Sequence, residues 1–104
     1  MLGFPCNQFG AQEPGTEAEI LEFVTSKFDV DFPMFAKIDV NGDNENALYT
    51  LLKSAQPGEG ESPAITWNFE KFLVGKDGRV LARFSPRTTP DDPALIQAIE
   101  TALA

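Results

Sequence analysis

The sequence contains no histidine and only one cysteine, Cys6. A lone cysteine cannot form a disulfide within the chain, so no disulfide framework is predicted and a reducing, cytoplasmic location is expected. Without histidine, zinc sites built on imidazole and Ser-His or Cys-His catalytic pairs are excluded. These two absences remove many hydrolase and metalloenzyme classes.

Positive charge and long apolar runs are also scarce. Eight Lys and Arg residues stand against sixteen Asp and Glu residues, for a net charge of −8, which argues against non-specific binding to nucleic acid or to an anionic membrane. No apolar stretch approaches the roughly 20 residues of a membrane-spanning helix, and no signal peptide is predicted. The length of 104 residues and the 42% apolar content predict one soluble globular domain, residues 1–104.

The first half of the chain alternates between strand and helix patterns. Met1–Phe4 predicts a strand that Pro5 ends. Thr16 and Glu19 form a T-x-x-E capping box that starts a helix. At helical spacing, the buried face of this helix is predicted to contain Ile20, Phe23, Val24 and Phe28. Residues 28–40 predict a loop with a short extended piece, and the turn at 41–46 is expected to cap a second helix.

The second half predicts a loop at 54–63, a hairpin and a last helix. Phe69–Val74 and Val80–Ser85 flank Asp77-Gly78, a strong hairpin signal. Asp92 is the expected N-cap of the last helix, with Pro93 at its first position. The buried face of this helix is predicted to contain Leu95, Ile96, Ile99, Ala102 and Leu103.

Four blocks in this order carry a resemblance to a known family. They are "GFPCNQFGAQEPG", "FPMFAKIDVNG", "WNFEKFLV" and "KDGRVLARFSP", and together they resemble the glutathione peroxidases over nearly the whole chain. The resemblance implies an α/β, thioredoxin-like fold that is truncated and lacks the first core strand and helix. Met1–Phe4 and Phe69–Val74 would then lie on either side of the position of the missing central strand. Three outcomes are expected for this gap: the two strands pair directly, the gap stays open, or a strand from a partner or swapped chain fills it.

The resemblance implies a peroxidase whose thiolate or selenolate attacks the peroxide O–O bond. Family members surround that group with a Gln, a Trp and an Asn, and the matching residues here are Gln12, Trp67 and Asn68. These side chains suit the role because each offers an N–H donor. Alternatives from the residues alone stay open: Gln12 as a loop residue capping the next helix, Trp67 as core packing, and Asn68 as a turn residue.

The family's peroxidatic Cys or Sec lies upstream of "FPCNQFG", so the resemblance implies that this chain lacks it. Cys6 corresponds to a second cysteine of many members. It is expected to be a small hydrophobe at a strand end rather than a reactive thiol, since no positive charge lies beside it in the sequence. Thr25 stands where thioredoxin-dependent members often carry a resolving cysteine.

Two charged groups complete the candidates. The acidic residues Asp39, Asp43 and Glu45 do not have calcium-loop spacing, so no metal site is predicted. Basic residues around the hairpin could receive the carboxylates of glutathione, although half of them are expected to be surface charges. They are Lys71, Lys76, Arg79, Arg83 and Arg87.

The favoured function is thiol-dependent reduction of hydrogen peroxide or organic hydroperoxides, with glutathione or thioredoxin as reductant and no bound cofactor. This chain by itself is expected to be inactive. The alternatives are a non-catalytic thioredoxin-like binding module and a weak thiol enzyme that uses Cys6.

Overall fold

Three helices and one hairpin are the regular elements of the computed structural model, which describes residues 1–57 and 63–104. The predicted mixed α/β class is confirmed by this composition. The elements are α1 Glu17–Phe28, α2 Ala47–Ala55, β1 Lys71–Val74, β2 Val80–Phe84 and α3 Pro93–Leu103. The chain divides into two compact units, Met1–Asn46 and Ala47–Ala104, which are described separately below.

In the first unit, the predicted strand at Met1–Phe4 is reduced to one parallel bridge between Gly3 and Met34. The Gly3 amide donates to the Pro33 carbonyl at 2.9 Å, and the Phe35 amide donates to the Gly3 carbonyl at 2.8 Å. The short extended piece predicted in residues 28–40 is therefore the partner of the chain start. The two segments pair at one position only, which is too short for a regular strand.

The first helix, α1, begins as predicted. Thr16 is its N-cap, and the capping box with Glu19 is complete in both directions. The predicted apolar face is wrong in part, because only Ile20 is buried, whereas Phe23 and Phe28 are exposed. The apolar face of a helix is buried only where another segment packs on it. In α1 the buried residue is Ile20.

In the second unit, β1 and β2 pair antiparallel in the predicted hairpin. Gly78 has φ 85°, a left-handed conformation that glycine adopts without steric cost. The first strand begins at Lys71 rather than Phe69, because Phe69 has φ 67° and ends a turn at residues 67–69. Within residues 1–57 and 63–104, the regular sheet consists of these two strands.

The last helix, α3, begins as predicted, with the Asp92 side chain accepting a hydrogen bond from the Ala94 amide and Pro93 in the first turn. Its predicted buried face is wrong for three residues: Ile96, Ile99 and Leu103 are exposed, and only Leu95 is buried. The spacing marks the apolar side of the helix but does not supply a segment that covers it.

Each unit has a small apolar centre. The buried apolar residues are Cys6, Phe9, Ile20 and Val40 in the first unit, and Leu52, Ile65 and Leu95 in the second. Of the loop predicted at 54–63, the first two residues belong to α2 and residues 58–62 lie outside the described residues. None of the described helices has the length and apolar character needed to cross a membrane.

Candidate active site

Gln12 is exposed and directly follows a turn at residues 8–11 of the first unit. The turn reverses through two consecutive left-handed residues, Gly10 with φ 69° and Ala11 with φ 51°. The Asn7 side-chain oxygen accepts a hydrogen bond from the Glu13 amide at 2.9 Å. This bond closes the loop and fixes the backbone on the C-terminal side of Gln12.

Ala11 is the strained residue of this turn. A left-handed conformation costs a residue with a Cβ roughly 1–2 kcal/mol. Such strain persists only where the surrounding structure fixes it, and it clusters at functional sites. The conformation of Ala11 sets the direction in which the chain presents Gln12.

Gln8 joins the "CNQFG" turn to the segment that follows the Gly3–Met34 bridge. Its side-chain oxygen accepts from the amides of Val40 at 2.8 Å and Asn41 at 3.2 Å, and its amide nitrogen donates to the Asn41 carbonyl at 2.8 Å. Sequence reasoning missed this role because the partners lie more than thirty positions away. The only available signal was a polar residue next to the apolar Phe9.

Trp67 and Asn68 lie together in the turn that precedes β1. The Trp67 side chain is half-exposed, at 49% of its full accessible surface, and Asn68 is partly buried. Phe69 follows with a left-handed backbone, which is unusual for a bulky residue. The alternative that Trp67 is a core residue is not favoured, because 49% of its surface is exposed.

The three predicted site residues belong to different units: Gln12 to the first, and Trp67 and Asn68 to the second. Each one offers side-chain N–H groups, which can stabilise an adjacent thiolate or selenolate by hydrogen bonding to its charged form. Their action at one common nucleophile stays a prediction.

Arg83, one of the basic residues that were expected to be able to receive glutathione, has a buried side chain. Its side chain and that of Glu70 are each only 8% exposed, and Arg83 Nε lies 2.7 Å from Glu70 Oε1. Arg79, by comparison, is highly exposed and lies 3.3 Å from Asp77. The expectation that Arg83 could receive a glutathione carboxylate is therefore not favoured, because its guanidinium already has buried partners.

Two lysines of the basic group also bond to the chain itself. Lys71 Nζ donates to the Phe69 carbonyl at 2.7 Å, and Lys76 Nζ donates to the Leu103 carbonyl at 2.8 Å. Lysine retains further donor capacity after one such bond. The basic residues Lys71, Lys76, Arg79 and Arg83 are thus engaged in contacts within the second unit.

Cys6 is buried, and its Sγ donates to Gln8 Oε1 at 3.4 Å. A reactive cysteine needs a partly exposed thiol beside positive charge, and a structural cysteine is buried. The position of Cys6 therefore favours the interpretation as a packed hydrophobe over that of a reactive thiol.

The acidic residues at 39–45 form a turn. Asp39 and Glu45 make a parallel bridge, and Gly42 has φ 86°. Across residues 1–57 and 63–104, no cluster of three or more Cys, Asp or Glu side chains could hold a metal ion.

Glu19, in the first turn of α1, has a perturbed pKa. Hydrogen bonds from the Thr16 side chain and the Thr16 backbone hold the pKa of Glu19 below its ordinary value of 4.5; desolvation opposes them, and the charge of Lys37 adds a weaker lowering. The backbone bond, which the Thr16 amide donates to Glu19 Oε1 at 3.3 Å, is one half of the capping box, so the ionised carboxylate stabilises the start of α1.

Comparison with known proteins identifies the family. The family model described as glutathione peroxidase matches residues 1–53. The chain is 55% identical over 103 residues to the hydroperoxy fatty acid reductase Gpx2 of Synechocystis, covering 99% of this chain and 63% of that protein. It is 46% identical to the thioredoxin/glutathione peroxidase BtuE of Escherichia coli, covering 100% of this chain and 67% of that protein.

A solved structure agrees with these sequence matches. The crystal structure of Trgpx in apo form superposes with a TM-score of 0.70 at 42% identity and covers 95% of this chain and 56% of that one. The predicted glutathione-peroxidase-like fold is thereby confirmed. The chain spans about three-fifths of the length of the relatives that it matches, and it belongs to the glutathione peroxidase family.

Proposed function

We propose that this chain is part of a peroxidase that reduces hydrogen peroxide or organic hydroperoxides with thiols. The observation that carries the proposal is its 55% identity, over 99% of the chain, to a protein named as a hydroperoxy fatty acid reductase. The exposed Gln12 and the half-exposed Trp67 support the proposal, since donors that serve a reacting group must be accessible to it.

The reaction needs a thiolate or selenolate beyond these donors. Its sulfur or selenium forms a bond to one peroxide oxygen while the O–O bond breaks, so the nucleophile is oxidised by two electrons and the leaving oxygen takes a proton as water or an alcohol. Two thiols then reduce the resulting sulfenic or selenenic acid, releasing water and one disulfide. Gln12, Trp67 and Asn68 would stabilise the charged nucleophile before the attack.

The reductant and the compartment are proposed on narrower grounds. Glutathione or thioredoxin is the proposed thiol, and both names occur in that of the Escherichia coli relative. A cytoplasmic location is proposed because the one cysteine of the chain is a free thiol, which suits a reducing compartment. Completion of the sheet by a strand from a second or swapped chain stays a prediction that the molecular mass in solution would test.

The decisive experiment is a chimera in which residues 1–104 replace the matching segment of the Synechocystis relative. That relative supplies its own remaining sequence, and the 55% identity makes the exchange feasible. The chimera should reduce an organic hydroperoxide with thiols. Gln12→Ala, Trp67→Phe and Asn68→Ala should each slow this reduction by roughly 10²-fold, the order seen when one preorganised donor is removed from an active site.

The matched control is Gln97→Ala, which removes an exposed side-chain amide from α3 and should leave the reduction unchanged. A folded chimera that is inactive beside an active relative would contradict the proposal. So would an active chimera that is indifferent to all three substitutions.

A further inference from the structure

The buried guanidinium of Arg83, on β2, makes four hydrogen bonds within the second unit. Nε donates to Glu70 Oε1 at 2.7 Å, Nη1 donates to the carbonyls of Gln56 at 3.1 Å and Pro63 at 2.9 Å, and Nη2 donates to the Ala64 carbonyl at 3.2 Å. Four bonds use most of the five N–H donors of an arginine. The group is also fixed from one side, since Arg83 Cζ lies 5.2 Å from the ring centroid of Phe72.

These acceptors lie on both sides of the Trp67–Asn68 turn. Pro63 and Ala64 precede the turn, and Glu70 follows it directly before β1. One planar group on a paired strand therefore holds the chain where it enters the turn and where it leaves. Ile65, buried between these points at 5% exposure, fixes the entering side further.

A buried ion pair such as Arg83–Glu70 contributes little to the free energy of folding, so stability alone does not explain it. Replacing a buried ion pair by apolar residues of similar volume is often neutral or stabilising, because desolvation opposes the attraction between the charges. Glu70 Oε2 is moreover buried and accepts no hydrogen bond within the described residues, which adds to that cost. Unlike a hydrophobic contact, this pair fixes the orientation of the groups that it joins, because a guanidinium binds its acceptors in a rigid planar fork.

We propose that Arg83 and Glu70 are positioning residues that fix the Trp67–Asn68 turn so that its N–H donors face the reacting sulfur or selenium. The part of this inference that concerns the reacting sulfur or selenium rests on the proposed function. The positioning itself concerns only contacts within the second unit. Lys71 assists by holding the Phe69 carbonyl, and Phe69 keeps its left-handed backbone between two fixed points.

The chain offers a direct probe, because Trp67 is its only tryptophan. Arg83→Lys keeps the charge but cannot reach four acceptors from one ammonium group. In a variant with unchanged helical circular dichroism, we expect a red-shifted Trp67 emission. The acrylamide quenching constant should rise by up to about two-fold, since 49% of the Trp67 surface is already exposed and local opening exposes the rest.

The matched control is Arg79→Lys, the same substitution on the same hairpin at a highly exposed arginine. It should leave emission and quenching unchanged. Glu70→Gln keeps an oxygen acceptor for Arg83 Nε and should retain the wild-type signal, whereas Glu70→Ala should shift it. A folded Arg83→Lys or Glu70→Ala chain with wild-type emission and quenching would overturn the positioning role.

If these variants fail to fold, hydrogen exchange of the unmodified chain tests the positioning role of Arg83. The amides of residues 66–68 should show protection from exchange similar to that of the β2 amides, because Arg83 joins the two segments and they should unfold locally as one unit. Exchange of 66–68 as fast as that of the chain ends would overturn the inference.

The chimera described above separates this inference from the proposed function. Arg83→Lys in an active chimera should slow peroxide reduction, and Arg79→Lys should not. A displaced Trp67 with undiminished turnover would overturn the functional part of the inference. An inactive unsubstituted chimera would instead overturn the proposed function, and the fluorescence of the 104-residue chain would still decide the positioning.

Discussion

At the scale of the residue, two arginines of one hairpin have opposite environments. Arg83 is buried against Glu70, whereas Arg79 is exposed beside Asp77. Arg83→Met should lower the free energy of unfolding by about 3–5 kcal/mol, because it leaves the Glu70 charge buried without a partner. Arg79→Met should lower it by roughly 0–1 kcal/mol, since exposed ion pairs contribute little.

Urea unfolding followed by circular dichroism and Trp67 emission measures both values. Glu70→Leu combined with Arg83→Met restores an apolar pair and should recover much of the loss. Equal effects of the two arginine substitutions would contradict the assignment of the buried contacts to Arg83.

Cys6 provides a second prediction at the residue scale. Because its thiol is buried and donates to Gln8, mild hydrogen peroxide should leave the mass of the folded chain unchanged. The same treatment in urea at slightly alkaline pH should add oxygen at Cys6, since exposure and ionisation control thiol oxidation. The addition of one oxygen atom to Cys6 in the folded chain would instead support a thiol enzyme.

At the scale of the element, the start of α1 should depend on pH through Glu19. A carboxyl group whose folded-state pKa is lowered binds protons more readily in the unfolded chain. Its stabilising effect is therefore present above the ordinary value of 4.5 and is lost as the pH falls through the lower folded-state pKa. Amide exchange or NMR shifts at Thr16–Ile20 should report fraying of α1 in that acidic range.

Glu19→Gln should remove most of this acid dependence, because its amide can replace the carboxylate in the capping box without a charge. Glu17→Gln, in the same helical turn, leaves the capping box intact and should preserve the dependence. Fraying that begins above pH 6 would contradict the role of Glu19.

At the scale of the whole molecule, residues 1–104 without further sequence should show no appreciable peroxidase turnover. Gln12, Trp67 and Asn68 can polarise a thiolate, but none of them is a two-electron nucleophile, and the one thiol is the buried Cys6. Peroxide consumption with glutathione or thioredoxin should equal that of the buffer. A higher rate that Trp67→Ala abolishes would contradict this prediction.

Local patterns predicted most of the elements correctly. The capping box of Thr16 and Glu19, the Asp77-Gly78 hairpin and the Asp92-Pro93 helix start are all present. Each depends on hydrogen bonds or backbone preferences among residues a few positions apart. Burial was predicted less well, as the exposed Ile96 and Ile99 indicate, because an apolar stripe does not specify what covers it.

In the candidate site, too, local sequence identified some features and long-range contacts decided others. The sequence by itself determined which residues form the motif blocks, and it identified Gln12, Trp67 and Asn68 through their resemblance to the glutathione peroxidases. Only the tertiary structure revealed that Gln8 holds the segment at Val40 and that Arg83 holds the chain on both sides of Trp67. These contacts join residues that are distant along the chain, mostly through backbone carbonyl and amide groups. Every residue type carries a backbone carbonyl, and all except proline carry a backbone amide N–H, so no pattern of side chains could have indicated the partners.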